Sequence, residues 1–252
     1  MTVERFKNIF QGLNSAYGQY VSKVSLTNGE KVKGKAFIKK DIVTDQLWHA
    51  HLEGKDPALG IIPINADSQC KWGCIDIDQY NFDHKIFITR IRKKNIPFIL
   101  CRSKSGGAHV FLFTKEFIEA EAMQAKLKEL AAALGYSECE IFPKQTKILV
   151  DRGDTGNFLN LPYHHGNKTT RYAFKDNGEA ATLEEFFLMY EKYGIERKDF
   201  NSIRIKTEDS PIKKGPPCLD ILCNEGFPEG SRNNGLYNLG VYLKKAHPDN
   251  WQ

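Results

Sequence analysis

Apolar and polar positions in the centre of the chain first predict a strand and then a helix. The β-branched, apolar run that ends at Cys74-Ile75-Asp76-Ile77-Asp78 predicts a buried strand. Asp83 can cap a helix with Phe87 and Ile91 on its apolar face, and Pro97 ends that helix.

The pattern that follows predicts two strands, a second helix and a last strand. Residues 98–102 and 108–113 have strand character, and a tight turn over residues 103–107 joins them. Residues 116–134 are rich in Ala, Glu, Lys and Leu and predict a helix, which precedes a strand at 139–142. The order β-α-β-β-α-β is the split βαβ arrangement of RNA recognition motifs and many polymerase palms. The predicted fold class is therefore α+β, with the first of these strands in the centre of its sheet between the third and the fourth.

The amino-terminal part predicts a separate α/β unit with a basic surface. Phe6 and Phe10 lie on the apolar side of an amphipathic helix, and Asn28-Gly29 predicts a hairpin turn before the lysine-rich run 31–40. That run could follow a template backbone or simply be solvated. Tyr20 could stack on a base or pack into the core.

Two carboxylates in the first central strand point to metal chemistry. Asp76 and Asp78 are two residues apart, so in a strand they project from the same face, about 7 Å from each other. Adjacent anions in an apolar setting repel each other and lose hydration unless a cation compensates them. Mg²⁺ or Mn²⁺ is the simplest compensating ion, because hard cations prefer carboxylate oxygens. An isolated Asp-x-Asp can equally be a strand end whose acids face water.

The predicted sheet brings further polar residues to these acids. Asp76 and Asp78 would lie on the central strand, His109 on one neighbour and Glu140 on the other, and neighbouring strands are about 4.8 Å apart. Three carboxylates could hold two metal ions about 3.5–4 Å apart, the spacing used for in-line phosphoryl transfer. His109 and the amides of Ser105-Gly106-Gly107 would then form a cationic, N–H-rich cradle suited to a triphosphate.

Several segments resemble the archaeo-eukaryotic primase superfamily. The similarity rests on Asp76-x-Asp78 in an apolar strand, on Ser105-Gly106-Gly107-Ala108-His109, and on an acid after a later strand. It extends to further blocks: His51-Leu52-Glu53-Gly54, Leu59-Gly60-Ile61-Ile62-Pro63, Glu140-Ile141-Phe142-Pro143-Lys144-Gln145 and Gly156-Asn157-x-x-x-Leu161-Pro162. The blocks are most similar to phage, plasmid and conflict-system primase-polymerases, including the primase domain of TOTE systems, over roughly residues 45 to 165.

The resemblance implies a primase core, a small helical carboxy-terminal module and a set of site residues. The two acids of the first motif and one of the third bind divalent metal in that family, which implies Asp76, Asp78 and Glu140 here, with two Mg²⁺ or Mn²⁺ ions. Asp151 and Asp154 are rivals for the third acid. The Ser and His of the second motif contact the incoming nucleotide in that family, which implies Ser105 and His109 here. The other residues of the turn that we predict to bind the nucleotide are Ser103, Lys104, Gly106 and Gly107.

Three residues after the last strand are candidates from their own chemistry. Lys144 and Lys147 could meet a triphosphate or a primer phosphate, or could belong to an exposed loop. Asn160 is in a segment that would return toward the same face, and it is a candidate for a sugar or base contact.

Composition agrees with a globular nucleic-acid enzyme without establishing one. The chain has 252 residues, of which 41% are hydrophobic and 27% charged, and a net charge of +5 permits a nucleic-acid partner. The six cysteines include no Cys-x-x-Cys pair, so we expect reduced thiols and no zinc site. Without a signal peptide or a transmembrane run, the expected location is the cytoplasm of a bacterial, phage-infected or plasmid-bearing cell, with no membrane partner.

The predicted domain organisation has three parts. Residues 1–205 form the catalytic domain, with a palm-like unit at about 70–165, and the polar, proline-containing residues 206–217 form a linker. Residues 218–252 begin a helical module that resembles the one after the catalytic core of phage primases. We expect a helicase partner, either in the same polypeptide or as a separate protein.

The predicted function is a template-dependent DNA primase-polymerase. It would join NTP or dNTP to the 3′-OH of a primer on a single-stranded DNA template and release pyrophosphate. A metal-dependent nuclease could use the same carboxylates without needing the Ser-Gly-Gly-x-His cradle. A nucleotide-sugar transferase can use Asp-x-Asp with Mn²⁺, although its acids normally end a strand of a Rossmann-like unit. A non-catalytic RNA-binding sheet would carry exposed aromatic residues where this one carries acids.

Overall fold

A computed structural model gives an α+β fold with two four-stranded antiparallel sheets. It describes residues 2–21, 35–204, 212, 215–225 and 232–249. The predicted hairpin turn at Asn28-Gly29 and most of the predicted linker lie outside the described residues.

The described residues form seven α-helices and eight β-strands. The α-helices are α1 Thr2–Ile9, α2 Asp45–Glu53, α3 His84–Lys93, α4 Ala120–Ala133, α5 Leu183–Tyr193, α6 Pro217–Glu225 and α7 Arg232–Ala246. The strands are β1 Tyr17–Val21, β2 Lys35–Lys39, β3 Ala58–Ile61, β4 Gln69–Ile77, β5 Ile99–Arg102, β6 Ala108–Glu119, β7 Glu140–Phe142 and β8 Leu159–Asn160.

The central sheet has the strand order β5-β6-β4-β7, so the strand with the two acids lies between β6 and β7 as predicted. One face of this sheet packs on α3 and α4 in a core that includes Ile75, Val110 and Leu127. The other face carries Cys74 and Phe111 and packs against the amino-terminal unit. Asp76 alternates with Cys74, so it belongs to the face between the two sheets.

The third central strand is longer than the sequence predicts. Residues 116–119 belong to β6, and α4 begins only at Ala120, so the helix predicted from residue 116 starts too early. The reason is pairing with β4, because Ile118 lies opposite Cys70 and Glu119 opposite Gln69 after an irregularity in the ladder. These contacts outweigh the helix propensity of the Ala- and Glu-rich sequence.

The second sheet, with the order β2-β1-β3-β8, forms the amino-terminal unit. Phe6 and Ile9 are buried on one side of α1, which confirms the predicted amphipathic helix, and Phe10 is fully buried just after the end of that helix. Gly18 of β1 lies opposite Gly60 of β3, and the Phe158 ring lies across both glycines. A side chain at either position would overlap that ring, so the glycines allow β8 to join the sheet.

Gly60→Ala should therefore destabilise the fold. The new methyl group would collide with the Phe158 ring, and overpacking of this kind costs about 1–3 kcal/mol. Gly240→Ala is the matched control, because nothing lies within 4 Å of the added carbon in α7. The urea midpoint should fall for Gly60→Ala and stay level or rise for Gly240→Ala. Equal urea midpoints for the two variants would show that the Phe158 ring moves aside at no cost in stability.

Two helices, α6 and α7, occupy the region where a helical module was predicted. Leu219 of α6 is buried, and α6 contacts α4 of the central unit. The division into catalytic domain, linker and module stays a prediction. In the part of the chain that the structure describes, no helix is both long and apolar enough to cross a membrane.

Candidate active site

The strand register brings the predicted acids and histidine together. Asp76 lies directly opposite His109 on β6 and directly opposite Glu140 on β7. Directly opposite residues of antiparallel strands project from the same face. Asp78 follows the end of β4, and its carboxylate accepts a 2.8 Å hydrogen bond from the Ser105 hydroxyl. The four polar positions thus lie on one face, as the topology predicts.

The electrostatics of Asp76 reflect this crowding. Burial, and next the neighbouring Asp78 and Glu140 carboxylates, raise the pKa of the Asp76 carboxyl to about 6. The Lys144 ammonium acts in the opposite direction. A cation beside Asp76 would favour its ionised form.

The third acid, Glu140, is exposed and paired with a lysine. The Glu140 carboxylate is 61% exposed and forms a 2.8 Å ion pair with Lys144. Among the described residues, no group of three or more His, Cys, Asp or Glu side chains is arranged to hold a metal ion. The rival Asp154 accepts a hydrogen bond from the Leu149 amide in its own loop, and Asp151 is exposed.

The glycine-rich turn is fixed against the end of β4. A side chain on Gly107 would collide with the Ile77 carbonyl, so only glycine allows this close approach. The Gly107 carbonyl lies 3.0 Å from His84 Nε2 and accepts a hydrogen bond from the Ser103 amide. The turn is therefore held beside the acids from two directions.

The chemistry of the turn differs from the expected cationic cradle. Burial, and next the Arg171 guanidinium, lowers the pKa of His109 to about 4, so the ring is neutral at pH 7. Its Nε2 lies 3.4 Å from an Asp76 oxygen. The Gly106 amide donates to the Ser103 carbonyl within the turn. The polar side chains of the turn include Ser103 and Ser105, whose hydroxyl oxygens lie 3.0 Å apart.

These residues line an open cavity of about 810 Å³ between the two sheets. Its lining is Tyr20, Asp76, Asp78, Tyr80, Ser103, Lys104, Ser105, His109, Asn160 and Arg171. Lys144 lines a neighbouring depression with Glu140, and Lys147 is exposed and outside the lining. Most of the residues predicted from the sequence therefore lie in or beside this cavity. Glu140, Lys144 and Lys147 do not line it.

Arg171 is a site residue that sequence reasoning missed. The segment after β8 runs along the edge of β5, where the Arg102 amide donates to the Tyr172 carbonyl and the Phe174 amide to the Leu100 carbonyl. This pairing places Arg171 beside the turn that carries the serines. No motif surrounds Arg171 in the sequence, so only the fold reveals its position.

Arg171 brings a positive charge to the cavity. The side chain is half-buried and burial lowers the pKa of its guanidinium. It donates a 3.5 Å hydrogen bond to the Leu161 carbonyl, and no carboxylate lies within ion-pair distance among the described residues. A half-buried guanidinium that lines a cavity is suited to bind an anion such as phosphate.

Comparison with family models identifies the family of this chain. A model described as the TOTE conflict system, archaeo-eukaryotic primase domain, matches residues 7–190, which is more than half of the chain. The chain belongs to this primase family. A comparison with curated protein sequences found no match.

Membership in the primase family establishes the general type of chemistry. The family is of the nucleotidyltransferase type, binds nucleic acid and nucleoside triphosphates, and generally uses divalent metal ions. The match includes β4, the glycine-rich turn, β7 and β8, which position the acids and the cavity.

The residues of this primase domain fit a divalent ion. Asp76, Asp78 and Glu140 offer carboxylate oxygens, the donors that Mg²⁺ and Mn²⁺ prefer. The carboxylates of Asp78 and Glu140 raise the pKa of Asp76, so a cation between them would relieve repulsion. Glu140 can join the other acids only if it leaves Lys144. That exposed ion pair is worth about 0–1 kcal/mol, so its loss costs little.

The amino-terminal sheet forms the opposite wall of the cavity. Tyr20 lines the cavity, and the Lys104 ammonium lies 3.4 Å from its ring centroid. Tyr20 is half-buried and lines the cavity, so it is not packed wholly into the core, and stacking on a base stays a prediction. Asn160 lines the same wall from the end of β8.

Proposed function

We propose that this protein is a template-dependent DNA primase-polymerase. It joins the α-phosphate of an NTP or dNTP to a 3′-OH and releases pyrophosphate, on a single-stranded DNA template with or without a primer. The observation that carries the proposal is that one cavity contains both the paired acids, Asp76 and Asp78, and the guanidinium of Arg171, which has no carboxylate within ion-pair distance among the described residues. Polymerisation needs a metal-binding and a triphosphate-binding surface side by side.

Asp76 and Asp78, together with Glu140 once it leaves Lys144, are the residues that would hold Mg²⁺ or Mn²⁺. Two such ions, when bound, supply positive charge at the attacking hydroxyl and at the leaving oxygen. Ser105 donates to Asp78, which fixes the orientation of that carboxylate.

The triphosphate would lie against the turn and Arg171. The hydroxyls of Ser103 and Ser105 and the Lys104 ammonium line this part of the cavity. His109 is neutral, so it would donate an N–H rather than a full charge. Arg171 provides the charge-assisted contact that the sequence interpretation assigned to His109.

The other candidate functions use only part of this arrangement. A metal-dependent nuclease would use the acids but would not need a triphosphate-binding turn beside them. A nucleotide-sugar transferase of the Asp-x-Asp type is associated with a Rossmann-like unit, whereas the acids here lie in an antiparallel sheet. A phosphate-binding RNA platform is disfavoured because acids occupy its face.

A primer labelled at its 5′ end separates these functions. With a longer DNA template, all four nucleotides and Mn²⁺ or Mg²⁺, the protein should lengthen the primer by residues complementary to the template. A chelator should stop the reaction. Shortened primer would indicate a nuclease, and unchanged primer with intact template under both metals would contradict the proposal.

The biological setting stays a prediction. A role in DNA replication, a helicase partner and a phage- or plasmid-bearing bacterial cell are suggested by the resemblance, and no contact in the structure bears on them.

A further inference from the structure

Asn160 occupies a distinctive place in the wall of the cavity. It ends β8 and lies directly opposite Gly60, which in turn lies opposite Gly18. Tyr20 is two residues from Gly18 on the same strand, so Tyr20 and Asn160 project from one face. Both intervening positions are glycines, and the Phe158 ring lies across them on the same face.

The Asn160 side chain has an unsatisfied acceptor. Its Oδ1 is buried and has no hydrogen-bond partner among the described residues. A buried acceptor that lacks a donor is destabilising, and such atoms in folded proteins call for an explanation. Asn160 lines the cavity, so a rotation of its side-chain amide would bring this acceptor to a bound molecule that carries a donor group.

The chemistry of a nucleotide limits which group can be that donor. Phosphate oxygens of a metal-bound triphosphate accept hydrogen bonds and do not donate them. The amino and imino donors of the bases occupy different positions in the different bases. A template-directed enzyme must accept every base, so one fixed acceptor is poorly suited to a base donor. The sugar hydroxyls are the donors that successive nucleotides share.

The neighbourhood of Asn160 agrees with a sugar. Arg171 donates to the carbonyl of Leu161, the residue next to Asn160. The Arg171 guanidinium and the Asn160 side chain are therefore near each other in the cavity. In a nucleotide the sugar is joined directly to the phosphate chain, whereas the base is further away.

We propose that Asn160 reads the sugar of the bound nucleotide, by accepting a hydrogen bond from a ribose hydroxyl. The proposal rests on the proposed function and adds a specificity-determining residue to it. A site built to hydrogen-bond a hydroxyl rejects an analogue without that hydroxyl. If the donor is the 2′-hydroxyl, the enzyme prefers ribonucleotides; if it is the 3′-hydroxyl, both sugars are accepted.

The test compares four ligands on the wild-type protein and on Asn160→Ala. Calorimetry in the presence of Mn²⁺ would use a non-hydrolysable ribonucleoside triphosphate, its 2′-deoxy and 3′-deoxy forms, and inorganic tripolyphosphate. The wild type should bind one deoxy form about tenfold more weakly than the ribonucleotide, as expected for one hydrogen bond. Asn160→Ala should bind all three nucleotides with equal affinity and should bind tripolyphosphate like the wild type.

Thermal unfolding without ligand separates recognition from a structural role. Removing an acceptor that has no partner should leave the melting temperature of Asn160→Ala unchanged or higher. Asn177→Ala, at an exposed asparagine whose side chain accepts from the Glu179 amide, is the control and should keep the sugar preference of the wild type.

The outcomes distinguish this inference from the proposed function. Equal affinity of the wild type for all three nucleotides, or weaker binding of tripolyphosphate by Asn160→Ala, would overturn the sugar-reading role and leave the proposed function intact. A lower melting temperature of unliganded Asn160→Ala, with sugar preference retained, would assign Asn160 to the fold. Failure of every nucleotide and of tripolyphosphate to bind the wild type would contradict the proposed function itself.

Discussion

Asp76→Asn is expected to lower primer extension by about a hundredfold or more. The change keeps the size of the side chain but removes the negative charge at the centre of the three acids. A bound metal ion stabilises the transition state by several kcal/mol, so weaker metal binding should slow the reaction strongly. The carboxylates of Asp78 and Glu140 raise the pKa of Asp76, so the amide also removes repulsion. The melting temperature of Asp76→Asn without metal should therefore equal or exceed that of the wild type, as measured by calorimetry.

Two further acid-to-amide changes locate the third ligand. Glu140→Gln should also reduce extension, because Glu140 lies directly opposite Asp76 in the sheet. Asp151→Asn is the matched control at an exposed acid outside the cavity, and its extension rate should equal that of the wild type. If Glu140→Gln is active and Asp151→Asn is inactive, the third metal ligand is Asp151, in the loop after β7.

Arg171→Ala should weaken nucleotide binding about ten- to a hundredfold. The guanidinium lines the cavity without a carboxylate partner among the described residues, and a hydrogen bond to a charged group contributes about 1.5–3 kcal/mol. Calorimetric titration with a non-hydrolysable nucleotide measures the effect directly. Arg171→Lys should recover part of the loss, because it restores the charge without the planar pair of donors.

Lys147→Ala is the contrast to Arg171→Ala. Lys147 has the sequence context expected of a phosphate ligand, but it is exposed and lies outside the cavity lining. Its removal should change nucleotide affinity by less than about twofold, in keeping with the small effects of most exposed substitutions. A larger loss for Lys147→Ala than for Arg171→Ala would place the triphosphate on the other side of β7.

Much of the site follows from the sequence because it depends on strand order. Alternation in β4 places Asp76 and Asp78 on one face, and the split βαβ topology makes β6 and β7 its neighbours. His109 and Glu140 then come to the same face through the register of the ladders. The extra length of β6 could not be read from the sequence, because strand pairing there outweighs local helix propensity.

The rest of the site depends on tertiary contacts that leave no periodic pattern. Arg171 reaches the cavity because an irregular segment pairs with the edge of β5. Glu140 is held in an exposed ion pair with Lys144, which is four residues away. Tyr20 lines the cavity because the glycines beside it leave room for Phe158, which fixes the amino-terminal sheet over the acids.

The most direct test of the central claim is incorporation of a labelled nucleotide opposite a homopolymeric single-stranded DNA template, with Mn²⁺ and the Asp76→Asn protein in parallel. The wild type should incorporate only the nucleotide that is complementary to the template, and Asp76→Asn should incorporate almost none. Incorporation that ignores the template, or that survives in a folded Asp76→Asn protein, would contradict template-directed nucleotidyl transfer at this cavity.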